Sequence, residues 1–325
     1  MRIIDVHNHF YPAEYIDAVR RGPSAITVTT DEQGNPVFNS PGDKNYLVPG
    51  HRDIVYRRKV LDEAGVAMQV ISLTTPGPII ETPERSVALS RVVNDSFARL
   101  RDAHGDRFHP LGTLPLNDPD GAVRELERAL GLGFTGFMVF GNVNGVPLAD
   151  RRFWPLYERA AARKLVFYIH PTYPLGVEAM TDYWLMPLVG FLFDTTLAAA
   201  HLVFAGVPER FPGMKWVLGH LGGAIPYLAE RLDRGYDAFP DCRTAIPQPP
   251  SHYLRQFYYD TVNFDPAALR LAIEFAGPDR ILAGSDYPHL IGSIDKMKKS
   301  LGALDLGEGD RAKIMGGNAA RLFGV

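Results

Sequence analysis

The sequence predicts an α/β fold, a distorted (β/α)8 barrel of the TIM type with a small β-hairpin inserted after the first strand. Three observations support this prediction. Eight short β-rich runs alternate with longer helical patterns, several strands end in a polar or turn residue, and many helical segments start with proline. An open, doubly wound sheet is the alternative, but it requires clearer evidence of a glycine-rich nucleotide-binding turn than we find. We expect one domain over residues 1–325.

The predicted strands are short runs bounded by turn signals. They are Ile3–Val6, Met68–Leu73, Arg107–Leu114, Thr135–Phe140, Leu165–Ile169, Lys215–Leu218, Phe257–Thr261 and Arg280–Ala283. The segments between them have apolar residues at helical spacing. The clearest are Pro83–Arg101, Pro119–Leu132, Phe153–Lys164, Ala224–Arg234 and Pro266–Phe275. This alternation predicts βαβ units, whose active site lies at the carboxyl ends of the strands.

Three segments depart from a minimal barrel. Residues 24–46 contain a Gly34-Asn35-Pro36 turn between two β-rich runs, which predicts a hairpin at the rim. Residues 181–205 are long and apolar, but Pro187, Asp194 and His201 interrupt them. We therefore interpret this segment as a packed helix, with a subunit contact as one role, rather than a membrane span. The C-terminal helices are expected at about residues 292–323.

Composition excludes several classes of function. A net charge of -3 and a pI near 6.4 give no basic surplus for nucleic acid or for an anionic membrane surface. Cys242 is the single cysteine, so an intramolecular disulfide and a thiolate zinc cluster are both impossible. The N-terminus starts with a strand-like run rather than a charged and apolar leader. We expect a cytoplasmic protein without a membrane or nucleic-acid partner.

The first strand ends in a pair of histidines, His7 and His9. Side chains alternate along a strand, so this spacing aims both imidazoles to one side. Imidazole is a common ligand of zinc and related ions, although such pairs also occur as ordinary strand-end residues. Three later candidates follow predicted strands: His170 ends the fifth, His220 follows the sixth and Asp286 follows the eighth. Each has a simple structural alternative, but together they predict a metal site.

At these motifs the sequence resembles the amidohydrolase superfamily, and within it the metal-dependent, non-oxidative decarboxylases related to aminocarboxymuconate-semialdehyde decarboxylase. The matching pieces are Asp5-Val6-His7-Asn8-His9, His170-Pro171, Gly219-His220-Leu221-Gly222-Gly223 and Gly284-Ser285-Asp286-Tyr287-Pro288. The resemblance implies that His7, His9, His170 and Asp286 hold one divalent ion, zinc or in some relatives manganese. It also implies that His220 is the acid–base residue beside that ion.

The expected reaction is decarboxylation of a small aromatic or unsaturated carboxylic acid, with metal-bound water, His220 and Asp286 in the chemistry and no organic cofactor. Residues 137–141 supply no lysine where two-metal relatives have a bridging one, which favours a single ion. A hydrolase of a lactone or amide and a hydratase of an unsaturated acid use the same kind of site and remain open. A metal-stabilised binding protein without turnover is the non-enzymatic alternative.

Substrate-binding residues are less specific. The resemblance implies that Arg231 reaches the active site of a neighbouring subunit, and therefore a homodimer or higher homo-oligomer, whereas a solvated helix residue is the simpler interpretation. Arg52 is a further candidate without a clean match, and Trp184 is a candidate for packing against a planar substrate. Asp5 and Asp260 are assigned supporting or strand-end roles. We interpret His51 as a structural or surface residue. His289 is a candidate for lining the pocket, although a helix-start or loop residue is the simpler interpretation.

Overall fold

Eight parallel strands form the centre of the computed structural model, which describes residues 2–40 and 43–325. All described strands, including those outside the barrel, are β1 Ile4–Asp5, β2 Thr27–Thr30, β3 Pro36–Ser40, β4 Asp43–Tyr46, β5 Met68–Ile71, β6 Phe108–Pro110, β7 Gly112–Thr113, β8 Gly136–Phe140, β9 Asn142–Val143, β10 Val146–Pro147, β11 Val166–His170, β12 Lys215–Leu218, β13 Tyr258–Asp260 and β14 Ile281–Leu282. The barrel strands pair in the orders β1-β5-β6 and β7-β8-β11-β12-β13-β14. Backbone bonds join the two sheets: Leu111 N donates to Ile71 O at 2.8 Å, and Val6 N donates to Ala283 O at 2.8 Å. The predicted barrel is confirmed, with its third strand divided into β6 and β7.

Helices follow most barrel strands and cover the outer face of the barrel. They are α1 Ala13–Arg21, α2 Pro49–Arg52, α3 Ile54–Ala64, α4 Pro83–His104, α5 Pro119–Gly131, α6 Trp154–Ala162, α7 Phe191–Phe204, α8 Val207–Arg210, α9 Ile225–Ala238, α10 Pro250–Leu254, α11 Pro266–Ala276, α12 Ile294–Gly302, α13 Glu308–Ala312 and α14 Asn318–Phe323. Proline at the first helical turn suits α4, α5 and α11, because its missing N–H has no intrahelical partner there. Side chains of Thr82, Asp118 and Asp265 cap the same three helices.

The core has two layers that follow the alternation of side chains along the strands. Along β11, Val166 and Tyr168 belong to a cluster inside the barrel, whereas Phe167 and Ile169 pack outward against the helices. Phe323 of α14 joins the inner cluster. By the same alternation, the side chain of His170 at the end of β11 enters the barrel.

The insertion is a three-stranded antiparallel sheet, β2-β3-β4, rather than a simple hairpin, and α1 precedes it. Pro41 and Gly42, within the predicted segment 24–46, lie outside the described residues. Phe38 is fully buried against Tyr11, with ring centres 5.5 Å apart. Asn45 donates a hydrogen bond to Thr75 O at 3.0 Å. These contacts hold the insertion over the carboxyl end of the barrel.

One helical stretch, Met186–Phe204, is long and apolar enough by length and composition to cross a membrane, and 44% of its most apolar window is buried. It consists of a π-helical turn, Met186–Gly190, followed by α7. One face packs into the core through Ala199, Leu202 and other side chains. The core helix of a soluble protein passes the same test of length and composition, so the stretch is weak evidence for a membrane span.

Candidate metal centre and substrate pocket

The carboxyl ends of three barrel strands converge on one buried point. His7 and His9 follow β1, His170 ends β11 and Asp286 follows β14. His7 and His9 are completely buried, and His170 and Asp286 are almost completely so. Strand ends in a closed barrel meet at one face, so residues far apart in sequence become neighbours there. The structure brings together the four side chains that the resemblance assigns to a metal ion.

The distances within this group suit one ion. Nε2 of His7 and Nε2 of His9 each lie 3.4 Å from Oδ1 of Asp286. These three atoms are buried and have no hydrogen-bond partner among the described residues. Ligand atoms of His7, His9 and Asp286 lie within 4.8 Å of one another, as do those of His7, His170 and His220. Ligands bound at about 2.0–2.2 Å lie roughly 3 Å or more apart, so the donor set fits a divalent cation.

The outer nitrogen of each ligand imidazole is held by the protein. Nδ1 of His7 lies 2.5 Å from Asp260 Oδ2, and Nδ1 of His9 lies 3.3 Å from Ser72 Oγ. Nδ1 of His170 lies 2.7 Å from the carbonyl oxygen of Pro171. When Nδ1 donates to these acceptors, Nε2 can coordinate an ion. Nε2 of His7 and of His9 has no hydrogen-bond partner among the described residues, and Nε2 of His170 lies 3.4 Å from the hydroxyl oxygen of Thr74. The three rings are thereby oriented toward the same point.

Asp260, at the end of β13, ties two parts of the site together. Its carboxylate accepts the Tyr168 hydroxyl at 2.5 Å and the backbone N–H groups of His220 at 3.1 Å and Leu221 at 2.9 Å. Burial alone would raise the pKa of Asp260, but the facing His7 and these hydrogen bonds lower the pKa to about 2. Burial also opposes the charged form of His7, yet Asp260 outweighs it and the pKa of His7 is raised. Asp260 therefore accepts this hydrogen bond as a charged carboxylate.

A buried arginine supports the site from behind. Arg57 is fully buried and donates to Gln69 Oε1 at 2.8 Å, to His9 O at 2.8 Å and to Asn8 Oδ1 at 3.1 Å. Gln69 in turn donates to Asp5 Oδ2 at 2.7 Å. The same carboxylate oxygen accepts the Ser285 hydroxyl at 2.6 Å, which links the end of β1 to the loop that carries Asp286. Sequence reasoning missed Arg57, because nothing in its helix distinguishes it from its exposed neighbours.

His220 stands beside the four ligands with a different environment. Its Nε2 lies 3.9 Å from Asp286 Oδ2, and its Nδ1 is buried without a hydrogen-bond partner among the described residues. Burial lowers the pKa of His220 to about 4. The backbone φ is 51° at His220 and 57° at Asp286, a left-handed conformation that non-glycine residues adopt at a cost of about 1–3 kcal/mol. Such strain concentrates at functional sites, where the surrounding structure enforces it.

A cavity of about 320 Å³ opens above the cluster. His170, His220 and Asp286 form part of its wall. Leu188, Phe191, Leu290 and other apolar side chains form much of the rest, and Trp184 lies at the wall while 58% exposed. This size and lining match pockets for small, mostly apolar ligands. The structure thus places Trp184 at the wall of this cavity.

Two further histidines line this cavity. His51, on α2, is only 1% exposed, and His289 follows the Asp286 loop. His51 is therefore not a surface residue, and His289 lines the pocket, which is one of the two positions considered for it from the sequence. Asp43 of the insertion lines the same cavity. No local signal identifies His51 or Asp43, since their place depends on how α2 and the insertion fold over the barrel.

The two arginines predicted to bind substrate, Arg52 and Arg231, lie outside the cavity lining. Arg52 donates to Leu47 O at 3.0 Å and to Asn35 Oδ1 at 3.1 Å, so its guanidinium holds the insertion. Arg231 is exposed on α9. Neither lines the described pocket of a single subunit. Lys44, exposed on β4, is the cationic residue that does line it among the described residues.

Comparison with known proteins places this geometry in context. The sequence profile described as amidohydrolase matches residues 4–325. A 2-amino-3-carboxymuconate-6-semialdehyde decarboxylase of Dictyostelium discoideum is 31% identical over 245 residues, which cover 75% of this chain and 68% of the relative. Both findings agree with the resemblance identified in the motifs.

Two solved structures are similar over almost the whole chain. A 5-carboxyvanillate decarboxylase from Sphingomonas paucimobilis has a TM-score of 0.87 and 30% identity, covering 100% of this chain and 99% of its own. A dihydroxybenzoic acid decarboxylase from Polaromonas has a TM-score of 0.82 and 29% identity, covering 99% and 97%. The latter contains bound manganese and the inhibitor 2-nitroresorcinol. Both neighbours are named as decarboxylases of aromatic acids, and one of them holds manganese, the ion that the resemblance implies as the alternative to zinc.

Proposed function

The chain belongs to the amidohydrolase family, and from this membership and its site we propose that it is a metal-dependent, non-oxidative decarboxylase. The substrate is a small aromatic or unsaturated carboxylic acid. One observation carries the proposal: nitrogens of His7 and His9 and an oxygen of Asp286, none with a hydrogen-bond partner in the described part of the chain, meet at the base of a largely apolar cavity. An ion at that point faces the space where a planar acid fits.

We assign His7, His9, His170 and Asp286 as ligands of one divalent ion. Three imidazoles and a carboxylate suit Zn²⁺, and the oxygen ligand together with the manganese in the Polaromonas relative supports Mn²⁺ as the alternative. When bound, the ion orients substrate oxygen atoms and stabilises negative charge as a Lewis acid. No organic cofactor enters the proposed reaction.

We assign proton transfer in this reaction to His220 and Asp286. The reaction adds a proton to the carbon that bears the carboxylate, the bond between that carbon and the carboxylate breaks, and its electron pair restores conjugation as carbon dioxide leaves. Nδ1 of His220 has no hydrogen-bond partner among the residues that the structure describes, and its Nε2 faces Asp286, so the imidazole can accept a proton on one side and pass one on the other. Such acid–base placement typically contributes about 10²–10⁴-fold to the rate.

The substrate-binding roles are assigned from where each side chain lies relative to the cavity. Trp184 lies at the cavity wall, where its face can pack against a planar acid. Arg52 acts, in this proposal, by holding the insertion over the cavity rather than by direct contact. Arg231 is exposed and outside the pocket of its own subunit, which fits a role in the site of a neighbouring subunit. We therefore propose a homodimer or higher homo-oligomer.

The proposal also covers the domain organisation and the cellular location of the chain. We propose that residues 1–325 form one domain, supported by a family match over residues 4–325 and by barrel strands spread from residue 4 to residue 282. We propose a cytoplasmic location, which the single cysteine supports.

Carbon dioxide release tests the function directly. The purified chain is loaded with Zn²⁺ or Mn²⁺ and incubated with benzoic acids that carry hydroxyl or methoxy groups and with unsaturated acids. We expect metal-dependent release of one carbon dioxide per acid consumed for at least one of them. Metal binding without any release, combined with turnover of lactones or amides, would identify a hydrolase instead.

A further inference from the structure

The imidazole of His51 is buried at the pocket wall with neither nitrogen satisfied. Both Nδ1 and Nε2 lack a hydrogen-bond partner among the described residues, although the side chain is only 1% exposed. A buried polar group without a partner costs about 1–3 kcal/mol. Buried side chains of this kind normally have a partner, and the space beside His51 that can supply one is the cavity.

His51 is the last of three neighbouring imidazole rings, His9, His289 and His51, that lead away from the metal centre. The ring of His289 lies 5.0 Å from that of His9, and the ring of His51 lies 4.9 Å from that of His289. His51 and His289 both line the cavity, whereas His9 lies beneath it. A ligand whose carboxylate reaches the metal centre can therefore direct another part of its ring toward His51.

We propose that His51, with His289 beside it, is a specificity subsite that binds a hydroxyl group on the ring of the substrate. This inference rests on the proposed function and deepens it: the substrate class becomes hydroxylated aromatic acids. Carboxylate recognition remains with the metal centre. The subsite selects for a hydrogen-bonding substituent at one ring position and against an apolar substituent there.

The chemistry of the subsite favours a hydroxyl over other substituents. Burial, with His289 and Arg57 nearby, lowers the pKa of His51 well below its usual range, so the ring is neutral at neutral pH. A neutral imidazole offers one donor and one acceptor, and a hydroxyl can pair with either. A methyl group of similar size pairs with neither and leaves the imidazole unsatisfied. Sites built to bind a hydroxyl discriminate strongly against analogues that lack it.

Equilibrium binding tests the subsite without requiring turnover. The probes are non-reactive nitrophenols in matched pairs that differ by one group, such as 2-nitroresorcinol and 3-methyl-2-nitrophenol, with further pairs for the other ring positions. Dissociation constants are measured by calorimetry on the metal-loaded chain. We expect the hydroxyl probe to bind about tenfold or more tightly than its methyl partner at one ring position. Equal affinities within every pair would overturn the proposal.

Variants assign that preference to His51. His51→Phe should reduce the ratio to about one while the methyl probe still binds within about threefold of its original affinity, and His51→Gln should retain part of the preference because its amide also pairs. His252→Phe, at an exposed position on α10, is the control and should change neither value. A structural role for His51 would appear as three results together: His51→Phe binds both probes more weakly by the same factor, its melting temperature is lower, and His51→Gln keeps none of the preference for the hydroxyl probe. This outcome would contradict the subsite.

The outcomes separate this inference from the proposed function. If no acid releases carbon dioxide but the binding preference depends on His51, the decarboxylase proposal fails and the subsite stands. If carbon dioxide is released and His51→Phe leaves the preference unchanged, the function stands and the subsite is wrong.

Discussion

Nδ1 of His7 lies 2.5 Å from Oδ2 of Asp260, and this contact connects the first strand of the barrel to the seventh. The carboxylate fixes which nitrogen of His7 faces the metal site, and its backbone contacts also hold His220 and Leu221. Close approach of the strands makes the contact possible: a Cβ on Gly284 would lie 2.9 Å from Cβ of His7 and 3.1 Å from Cβ of Asp260. Asp260 thus contacts both His7, a proposed metal ligand, and the backbone of His220, the proposed proton-transfer residue.

Asp260→Asn should weaken metal binding about 10- to 100-fold, because the amide no longer provides a charged acceptor for His7. Competition with a chelator of known affinity measures the change. Asp279→Asn, an exposed surface pair with Lys313, is the control and should bind metal normally. Unchanged affinity in a folded Asp260→Asn protein would show that the contact does not support the ligand set.

His220→Asn should retain one metal per chain and lose about 10²–10⁴-fold in kcat, since the four ligands are untouched while the imidazole that moves the proton is removed. Metal analysis and carbon dioxide release on the same preparation provide both readouts. Substantial activity with the metal intact would remove His220 from the chemistry. Loss of the metal would instead make His220 part of the ligand set.

Arg57→Met should lower the free energy of unfolding by about 3 kcal/mol or more, because Gln69, Asn8 and the carbonyl of His9 lose their buried donor. Urea unfolding measures the difference. Arg58→Met is a matched control one residue away, where a surface ion pair with Asp106 contributes at most about 1 kcal/mol. Similar losses in the two variants would contradict a special role for Arg57.

The barrel strands were predictable because each is a compact apolar run that ends in a turn signal. All eight lie near the bounds expected from the sequence, and Asp260 at the end of the seventh contacts His7. Helix α1 was not predicted, although its residues form an amphipathic helix with Tyr15 and Val19 buried. The insertion was expected as two strands, and its third strand, Asp43–Tyr46, contains three polar residues that carry no β pattern.

Only the site residues that belong to a sequence motif were predictable. His7, His9, His170, His220 and Asp286 follow predicted strands, so the barrel topology alone places them at one face. His51, Asp43 and Arg57 depend on contacts between segments distant in sequence, and no local pattern marks them. Tertiary packing determines such positions, and sequence periodicity does not report it.

Stability should fall in mild acid partly through His109. Burial, with Arg101 nearby, lowers the pKa of His109 to about 4. The folded protein therefore keeps this ring neutral, while the unfolded chain binds a proton below about pH 6.5. Stability from this group is complete above that pH and is lost as pH falls toward 4. His109→Gln should flatten the dependence in this window, measured by urea unfolding at several pH values. An unchanged slope would contradict the assignment, and His252→Gln serves as the exposed control.

Metal titration tests whether turnover depends on one bound ion per chain. The chain is stripped with a chelator, Zn²⁺ or Mn²⁺ is added in steps, and carbon dioxide release from an active aromatic acid is measured at each step. We expect no release without metal and a linear rise to a plateau at one ion per chain, because the proposed ligands His7, His9, His170 and Asp286 belong to one cluster of neighbouring side chains. Full release from the stripped chain, or a plateau at two ions, would contradict this expectation.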